Sequence, residues 1–428
     1  MLMELHGTRF STSRRRLIPA LIAAAATVVA ATAMVKAQPA RFDDVVRNLR
    51  NPDPKVRLAA VKLLREARYP EAIVPVSALV GDPLDPIQLE AIGTELSFFL
   101  VQDVPERRRR ALIIEVRNSG GAQAAFHQGP LAVWPRPVPP EVMLALLKAV
   151  DDETPRVRFE AIYAAATIGK APLGPEAEPL LIKALDHYDP QIRAGAALFA
   201  GRAGVVAAAD PLIKLVNDSV AEVRYAAMRA LGQLREERAV IALTEQLKYY
   251  NKGEGAWSAL DGLARIAHPS SVPMFTARLA DKDPHLRRAA AEGLGRSGDK
   301  SQMGTLETAA GNDGSDAARA AMAFALQKLG RNYVPRLVEF LDNGSVALQV
   351  LNYFIELGQP VEKELIPSLQ EPDASIRAAV ADVLGVIGGD ASLAALQGLQ
   401  DKDKMAADAV SRAVERIKLR PSTTLRTP

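Results

Sequence analysis

The chain has 428 residues and a net charge of +3 at pH 7, and 48% of its residues are hydrophobic. It contains no cysteine, which excludes disulfides, thiolate chemistry and cysteine-ligated metal sites. A large packed core must therefore supply the stability that disulfides give to small secreted domains.

Residues 1–37 have the three regions of a secretory signal peptide. The polar, basic stretch 1–16 precedes an apolar run at 17–35, and small residues follow where a signal peptidase would cut after Ala37. SRRRLI at 13–18 also resembles the twin-arginine export pattern. The alternative is an uncleaved signal anchor, because nineteen apolar residues nearly span a bilayer. Both alternatives predict an exported chain, periplasmic or facing outward from the membrane, with residues 17–35 as its only membrane contact if uncleaved.

Loss of residues 1–37 would change the charge of the chain. The segment holds five basic residues and one acidic residue, so its removal leaves a net charge of −1. The sequence pI of about 9.0 therefore reflects the export signal. Binding of nucleic acid needs a basic stripe that neutralises phosphates, so we expect no nucleic-acid partner.

DPQIRAGAALFAGRAG at 189–204 has the start and stop signals of one helix. Asp189 is a good N-cap, Pro190 suits the first helical position, and Gly201 or Gly204 can end the helix in a left-handed conformation. Similar phrases recur every 29 to 35 residues from Arg158 onward. Such a period is typical of a solenoid.

A second phrase with its own apolar stripe lies between these helices, as in PEVMLALLKAVDD at 140–152. Each repeat is therefore two helices, and neither can bury its apolar face without a neighbouring repeat. The first copy of this phrase, FDDVVRNLRNPD at 42–53, has no helix before it and is predicted to act as an N-terminal cap. We predict an all-α fold, an α-solenoid of paired antiparallel helices over residues 38–417.

The motif D-P-x-[VI]-R-x-x-A-x-x-x-L-G, best seen at 283–295 and 189–201, resembles the short bacterial HEAT-like repeats of the phycocyanobilin-lyase type. The tetratricopeptide and ankyrin phrases are missing. The resemblance covers residues 42–417 and implies a right-handed superhelix. It also implies that the motif aspartates and arginines are framework groups that link successive repeats, pairing Asp53 with Arg57, Asp189 with Arg193, Asp283 with Arg287 and Asp373 with Arg377.

Arginines stand at the equivalent position of three further repeats, Arg158, Arg224 and Arg319. Other repeats lack the arginine and carry Leu89, Trp257, Leu348 or Ala407 there. A row of arginines that bound a ligand would not be expected to lack four of its members. We therefore interpret the arginines as structural.

The repeat is interrupted at 118–140, where a proline-rich insertion suits neither a helix nor a central strand. Long loops without structure are often functional. Its candidate partner-binding residues are Phe126, His127, Trp134 and Arg136. The alternative is a plug, with Phe126 and Trp134 folded back over the solenoid. Residues 418–428 are predicted to be a disordered tail.

The sequence offers no catalytic residues and no cofactor or metal site, since it contains no H-E-x-x-H, calcium-loop or G-x-S-x-G motif. We therefore expect a non-enzymatic scaffold that binds another protein outside the cytoplasmic membrane. One alternative is an enzyme or enzyme subunit related to bilin lyases. Another is a cytoplasmic regulatory scaffold, if residues 17–35 are not an export signal.

If the export signal is cleaved, the intact mass of the protein recovered from the cell envelope corresponds to a chain beginning at Gln38. Mass spectrometry after cell fractionation measures this. An intact chain beginning at Met1 in the soluble cytoplasmic fraction would contradict the prediction.

Overall fold

The structure, a computed structural model, describes residues 41–101, 129–169 and 173–420. The predicted export segment 1–37 with Ala37, the binding candidates Phe126 and His127, and the last eight residues lie outside this range. The described residues form eleven consecutive helical pairs. The predicted all-helical solenoid of paired helices is confirmed.

The first five pairs are α1 (Phe42–Asn48) with α2 (Pro54–Ala67), α3 (Ile73–Ser77) with α4 (Asp85–Phe99), α5 (Pro140–Ala149) with α6 (Pro155–Ile168), α7 (Ala177–Ala184) with α8 (Pro190–Ala203), and α9 (Ala209–Leu215) with α10 (Ala221–Leu234). The remaining pairs are α11 (Val240–Tyr250) with α12 (Gly253–Ile266), α13 (Val272–Arg278) with α14 (Pro284–Ser297), α15 (Met303–Asn312) with α16 (Asp316–Lys328), α17 (Val334–Glu339) with α18 (Ala347–Leu357), α19 (Glu362–Leu365) with α20 (Ala374–Ile387), and α21 (Asp390–Gln397) with α22 (Lys404–Leu419).

Short 3₁₀ turns lie beside many of the odd-numbered helices and in the insertion. They span Pro70–Ala72, Ala78–Gly81, Gly129–Leu131, Val206–Ala208, Glu237–Ala239, Pro269–Ser271, Lys300–Gln302, Phe340–Asp342, Gln359–Val361 and Ile366–Gln370. Helix α22 ends at Leu419, two residues beyond the predicted end of the solenoid, so the boundary at 417 was placed too early.

The helix signals at 189–204 act as their chemistry predicts. Asp189 caps α8, since its carboxylate accepts a hydrogen bond from the Gln191 N–H at 2.9 Å, and Pro190 is the first helical residue. Gly204 ends the helix in the left-handed conformation with φ of 75°. Gly201 has a different role, because a Cβ there would lie 2.6 Å from the Cα of Ala230 in α10. The glycine of the motif thus permits close packing of successive helices.

The even-numbered helices form one continuous row, in which each contacts the next from α2 to α22. Side chains in this row also reach past one repeat. The hydroxyl of Tyr353 on α18 donates to the Oε1 of Glu292 on α14 at 2.6 Å, across the alanine-rich helix α16. Contact between alternate repeats requires tight curvature with the even-numbered helices on the inside. We call these the inner helices, and the odd-numbered helices the outer ones.

The Asp–Arg pairs predicted from the resemblance are wrong in their partner. Four motif arginines each form two hydrogen bonds, of 2.6–3.2 Å, with an aspartate 24 to 26 residues further along the chain: Arg57 with Asp82, Arg193 with Asp218, Arg287 with Asp313 and Arg377 with Asp401. The predicted partners Asp53, Asp189, Asp283 and Asp373 cap their own helices instead. The physical reason is that a capping carboxylate is already directed at the N–H groups of its own first turn.

Each of these arginines connects two repeats at the turn between an outer and an inner helix. Arg287 donates from Nη1 to the carbonyls of Asp281 and Lys282 in its own repeat, and from Nε and Nη2 to Asp313 in the next. Asp313 also accepts from the N–H of Ser315 at 2.8 Å, which shapes the turn before α16. The hydrogen bond from Arg287 lowers the pKa of Asp313 below its usual value.

Trp257, which replaces the arginine on α12, makes the same connection in another way. Its indole N–H donates to the Oδ2 of Asp283 in the next repeat at 2.6 Å, while the Oδ1 of Asp283 caps α14. Arg224 likewise reaches the next repeat by donating to the hydroxyl of Tyr250 at 2.6 Å. In these two repeats a donor that crosses to the next turn is therefore retained although the arginine or the aspartate is replaced.

Arg158 and Arg319 depart from this pattern. Arg158 donates to the carbonyls of Asp152 and Glu153 and lies 5.6 Å from the ring centroid of Tyr188. Arg319 pairs with Asp316 of its own helix. The motif arginine therefore marks a side chain at the junction between two repeats. Its partner depends on which residues lie in the following turn.

We expect Arg287→Ala to lower the free energy of unfolding by about 3 kcal/mol, because it leaves the buried Asp313 carboxylate without its cation. The control is Arg238→Ala, which removes an exposed ion pair with Asp210 and has a much smaller effect. The midpoint of urea unfolding measures both. Equal midpoints for the two variants would contradict the framework role of Arg287.

Candidate binding surface

The described part of the insertion, residues 129–139, begins with the 3₁₀ turn Gly129–Leu131 and then forms an antiparallel β-bridge between Val133 and Leu100 at the end of α4. The N–H of Val101 donates to the carbonyl of Ala132 at 3.0 Å, and the N–H of Trp134 donates to the carbonyl of Phe99 at 2.8 Å. The prolines that follow Trp134 lack an N–H and cannot continue the pairing. Backbone pairing is therefore confined to the first half of the segment, while Val138 in the second half is buried in the core.

Arg416 of α22 joins this segment to the opposite end of the chain. Its guanidinium donates to the carbonyls of Pro130, Leu131 and Val133, the last two at 2.8 Å. It also lies 5.6 Å from the ring centroid of Trp134, within range of a cation–π interaction. Arg416 is only 3% exposed. The last inner helix thus closes onto the insertion, and we call this junction, residues 129–139 with Arg416 and Arg420, the seam.

Two of the four predicted binding candidates, Trp134 and Arg136, lie in the seam. Trp134 is half-buried and engaged with Arg416, as the plug alternative predicts for that residue. Arg136 is half-buried too, but its buried Nε has no hydrogen-bond partner in the structure. The two candidates therefore differ: Trp134 is used by the fold, whereas the described part of the chain supplies no partner for the Nε of Arg136.

A cavity of about 380 Å³ opens at the seam. Its described walls come from the insertion, from the ends of α6 and α8, and from α20 and α22. Four arginines line it, Arg136, Arg202, Arg416 and Arg420, and apolar residues supply most of the remaining wall. The cavity therefore combines cationic and apolar surface.

Burial disfavours the charge of each of these arginines. It lowers the pKa of Arg136, Arg416 and Arg420 from the usual arginine value, and lowers that of Arg202 to about 10. Glu415 acts on Arg136 in the opposite direction, raising its pKa, as Glu362 does for Arg420. Burial therefore destabilises the positive charges of the seam arginines.

Sequence reasoning did not find Arg202, Arg416 and Arg420. They lie at or just beyond the carboxyl ends of the inner helices α8 and α22, outside the repeat motif. No spacing relates them, because Arg202 and Arg416 meet only when the solenoid curves back on itself. The available signal is limited to the basic residues of the last turns, Arg202 in α8 and Arg416 with Lys418 in α22.

A second polar cluster lies on the inner surface between α12 and α18. Glu292 accepts hydrogen bonds from Arg288 at 2.6 Å and Arg296 at 3.1 Å, besides that from Tyr353. Burial would raise the pKa of Glu292, but the charges of Arg288 and Arg296 outweigh burial and hold the pKa at about 2. Arg296 also pairs with Glu356, at 2.9 Å through both of its remaining donors. These charges satisfy one another, so the cluster is a structural network.

Within residues 41–101, 129–169 and 173–420, no three histidine or acidic side chains converge as a metal site would require. Over the same ranges, no helix combines the length and the apolar character needed to cross a bilayer.

We expect Arg416→Ala to open the seam while leaving the solenoid folded. The change removes the hydrogen bonds to three carbonyls and the contact with Trp134, so the amides of Val101 and Trp134 lose protection against hydrogen exchange. The control is Arg412→Ala, one turn earlier, which breaks a pair with Asp382 on the neighbouring helix. Unchanged protection at Val101 and Trp134 in the Arg416 variant would contradict a closing role.

The comparisons with known proteins agree with the repeat geometry. The family model for HEAT repeats matches residues 177–254 and 251–327. No curated protein sequence matches the chain.

Three similar solved structures have TM-scores of 0.37 to 0.39 with this chain. One is the complex of CpcE and CpcF of phycocyanin lyase from Nostoc sp. PCC7120, with 20% identity, a TM-score of 0.39, and coverage of 58% of this chain and 97% of that one. An engineered protein has 18% identity, a TM-score of 0.37 and coverage of 88% and 98%. Kap121p bound to RanGTP has 13% identity, a TM-score of 0.37 and coverage of 88% and 44%.

The matched residues span α7 to α16, and the same pairing of outer and inner helices continues on both sides of them. Residues 177–327 are therefore HEAT repeats, and the described chain as a whole has an α-solenoid architecture.

Proposed function

We propose that this protein is a non-enzymatic scaffold that binds another protein along its inner helices and acts outside the cytoplasmic membrane. The observation that carries the proposal is the uninterrupted row of inner helices from α2 to α22. Solenoids of this kind bind partners through the extended concave surface that such a row creates.

Ion pairs between neighbouring inner helices support a rigid surface. Arg229 on α10 pairs with Glu254 on α12, and Arg288 on α14 pairs with Asp261 on α12. Together with the arginine junctions at the turns, they fix the spacing of successive helices. A surface that is already ordered loses less conformational entropy on binding, which favours recognition of a folded partner or an extended segment.

The inner surface near α12 offers exposed charge beyond that used by the fold. Arg265 is exposed, and its charge acts on Glu292 and Glu356 of the inner polar cluster. A partner that contacts this region would therefore meet an exposed cation beside a buried acidic and basic network. The proposed location outside the cytoplasmic membrane rests on the features of residues 1–37.

Site-specific photo-crosslinking in living cells tests the scaffold proposal. A photoreactive amino acid replaces Arg265 on the inner surface, and in a second variant it replaces Tyr249, which is 78% exposed on the outer helix of the same repeat. We expect a discrete crosslinked species from position 265 and none from position 249.

The same experiment can overturn the proposal in two ways. Absence of any crosslink from position 265 and from further inner positions would contradict binding along the inner helices, and crosslinks from 249 alone would place the partner outside. Bilin transfer by the purified chain would overturn the non-enzymatic part of the proposal.

A further inference from the structure

The arginines of the seam differ from the arginines of the repeat junctions in their partners. At the junctions the guanidinium forms two hydrogen bonds with a carboxylate, as between Arg193 and Asp218. At the seam, the side-chain hydrogen bonds of Arg416 and Arg420 go to backbone carbonyls in the described part of the chain, those of Arg420 to Gly385 at 2.7 Å. Carbonyl dipoles satisfy N–H donors but do not neutralise a charge.

Part of the hydrogen-bonding capacity at the seam is unused. The Nε atoms of Arg136 and Arg420 are both buried and have no hydrogen-bond partner in the structure. Leaving a buried charged donor unpaired is costly, because burial removes hydration that nothing replaces. Their lowered pKa values express the same penalty. Negative charge held in the cavity would favour the charged form of both guanidinium groups and so offset that penalty.

We propose that the cavity at the seam binds a small organic anion, a carboxylate or phosphate group carried on an apolar body. The planar guanidinium fork matches the oxygens of both groups with two parallel hydrogen bonds. Arg136 and Arg420 supply half-buried guanidinium groups at the cavity wall, and the charges of Arg202 and Arg416 add to the attraction.

The shape and lining of the cavity define the rest of the ligand. A volume of about 380 Å³ lies within the range of small-molecule sites. Trp134, Pro135, Val138 and Ile168 form apolar walls beside the charged groups. Inorganic phosphate would leave these walls unused, whereas a ring or short hydrocarbon would cover them.

The proposed ligand would also hold the two ends of the solenoid together. The cavity is shared by α8, the insertion, α20 and α22, so a bound anion would contact elements more than 200 residues apart in sequence. Binding to the folded state alone raises the free energy of unfolding. This inference goes beyond the proposed scaffold function and does not depend on it. Binding of small anions tests the cavity, whereas photo-crosslinking tests the inner helices.

Isothermal titration calorimetry tests the inference. It uses the full protein as purified from cells. The probes are 1-naphthoate and 1-naphthyl phosphate, with neutral 1-naphthalenemethanol and inorganic phosphate as controls. We expect both naphthyl anions to bind, and each control to bind at least about ten-fold more weakly, since each lacks either the charge or the apolar body. The naphthyl anions should also raise the melting temperature.

The variants Arg136→Gln and Arg420→Gln test the two assigned arginines. The control is Arg238→Gln, which removes the same positive charge from an exposed ion pair. We expect about ten-fold weaker binding of 1-naphthyl phosphate for each seam variant and no change for the control. Circular dichroism and the urea midpoint verify folding. Arg136 donates no side-chain hydrogen bond among the described residues, so its loss should leave the fold intact.

Three results would overturn the inference. The first is absence of binding by both naphthyl anions. The second is equal binding of neutral 1-naphthalenemethanol, which would make the cavity an apolar pocket. The third is unchanged affinity in folded Arg136 and Arg420 variants, which would place the anion elsewhere. Equal binding of inorganic phosphate and 1-naphthyl phosphate would overturn the assignment of an apolar body.

Discussion

A helical pair of this chain can bury its apolar face only against the pair beside it, and the rest of the structure depends on that constraint. Helices α8 and α14 are buried along most of their length, chiefly through alanine, glycine and leucine rather than large side chains. Small residues let successive helices approach closely: a Cβ at Gly295 would lie 2.5 Å from the Cα of Ala325. Close approach in the inner row, with wider spacing outside, produces the curvature.

The arginine junctions fix how each pair is placed on the next. A guanidinium that binds carbonyls of its own turn and a carboxylate of the following turn has little freedom, so each junction sets a distance and an angle. Arg287 with Asp313 is one example, and Trp257 with Asp283 shows that the geometry survives a change of donor. Because the small angles of successive repeats add, the same rule brings α22 to the insertion between α4 and α5.

The arginines of the seam have different hydrogen-bond partners from the arginines of the repeat junctions. Arg416 donates hydrogen bonds to three backbone carbonyls and so joins the ends of the solenoid. The buried Nε of Arg136 has no partner among the described residues. The inner row of helices spans many repeats, whereas the cavity lies at the ends of only four of these helices. The first suits a macromolecule that lies along many repeats, and the second suits a small anion held at one point.

The sequence by itself determined the elements: the period, the two helices of each repeat, the capping role of Asp189 and the junction position of the motif arginines all follow from local chemistry and spacing. It misassigned the partners of those arginines, because Asp53 and Arg57 are near in sequence whereas Asp82 becomes near only after stacking. Only the tertiary structure decided the seam. Trp134 was recognisable as an unusual residue, but Arg416 lies 283 residues beyond its carbonyl acceptor at Val133, and that contact arises from curvature summed over many junctions.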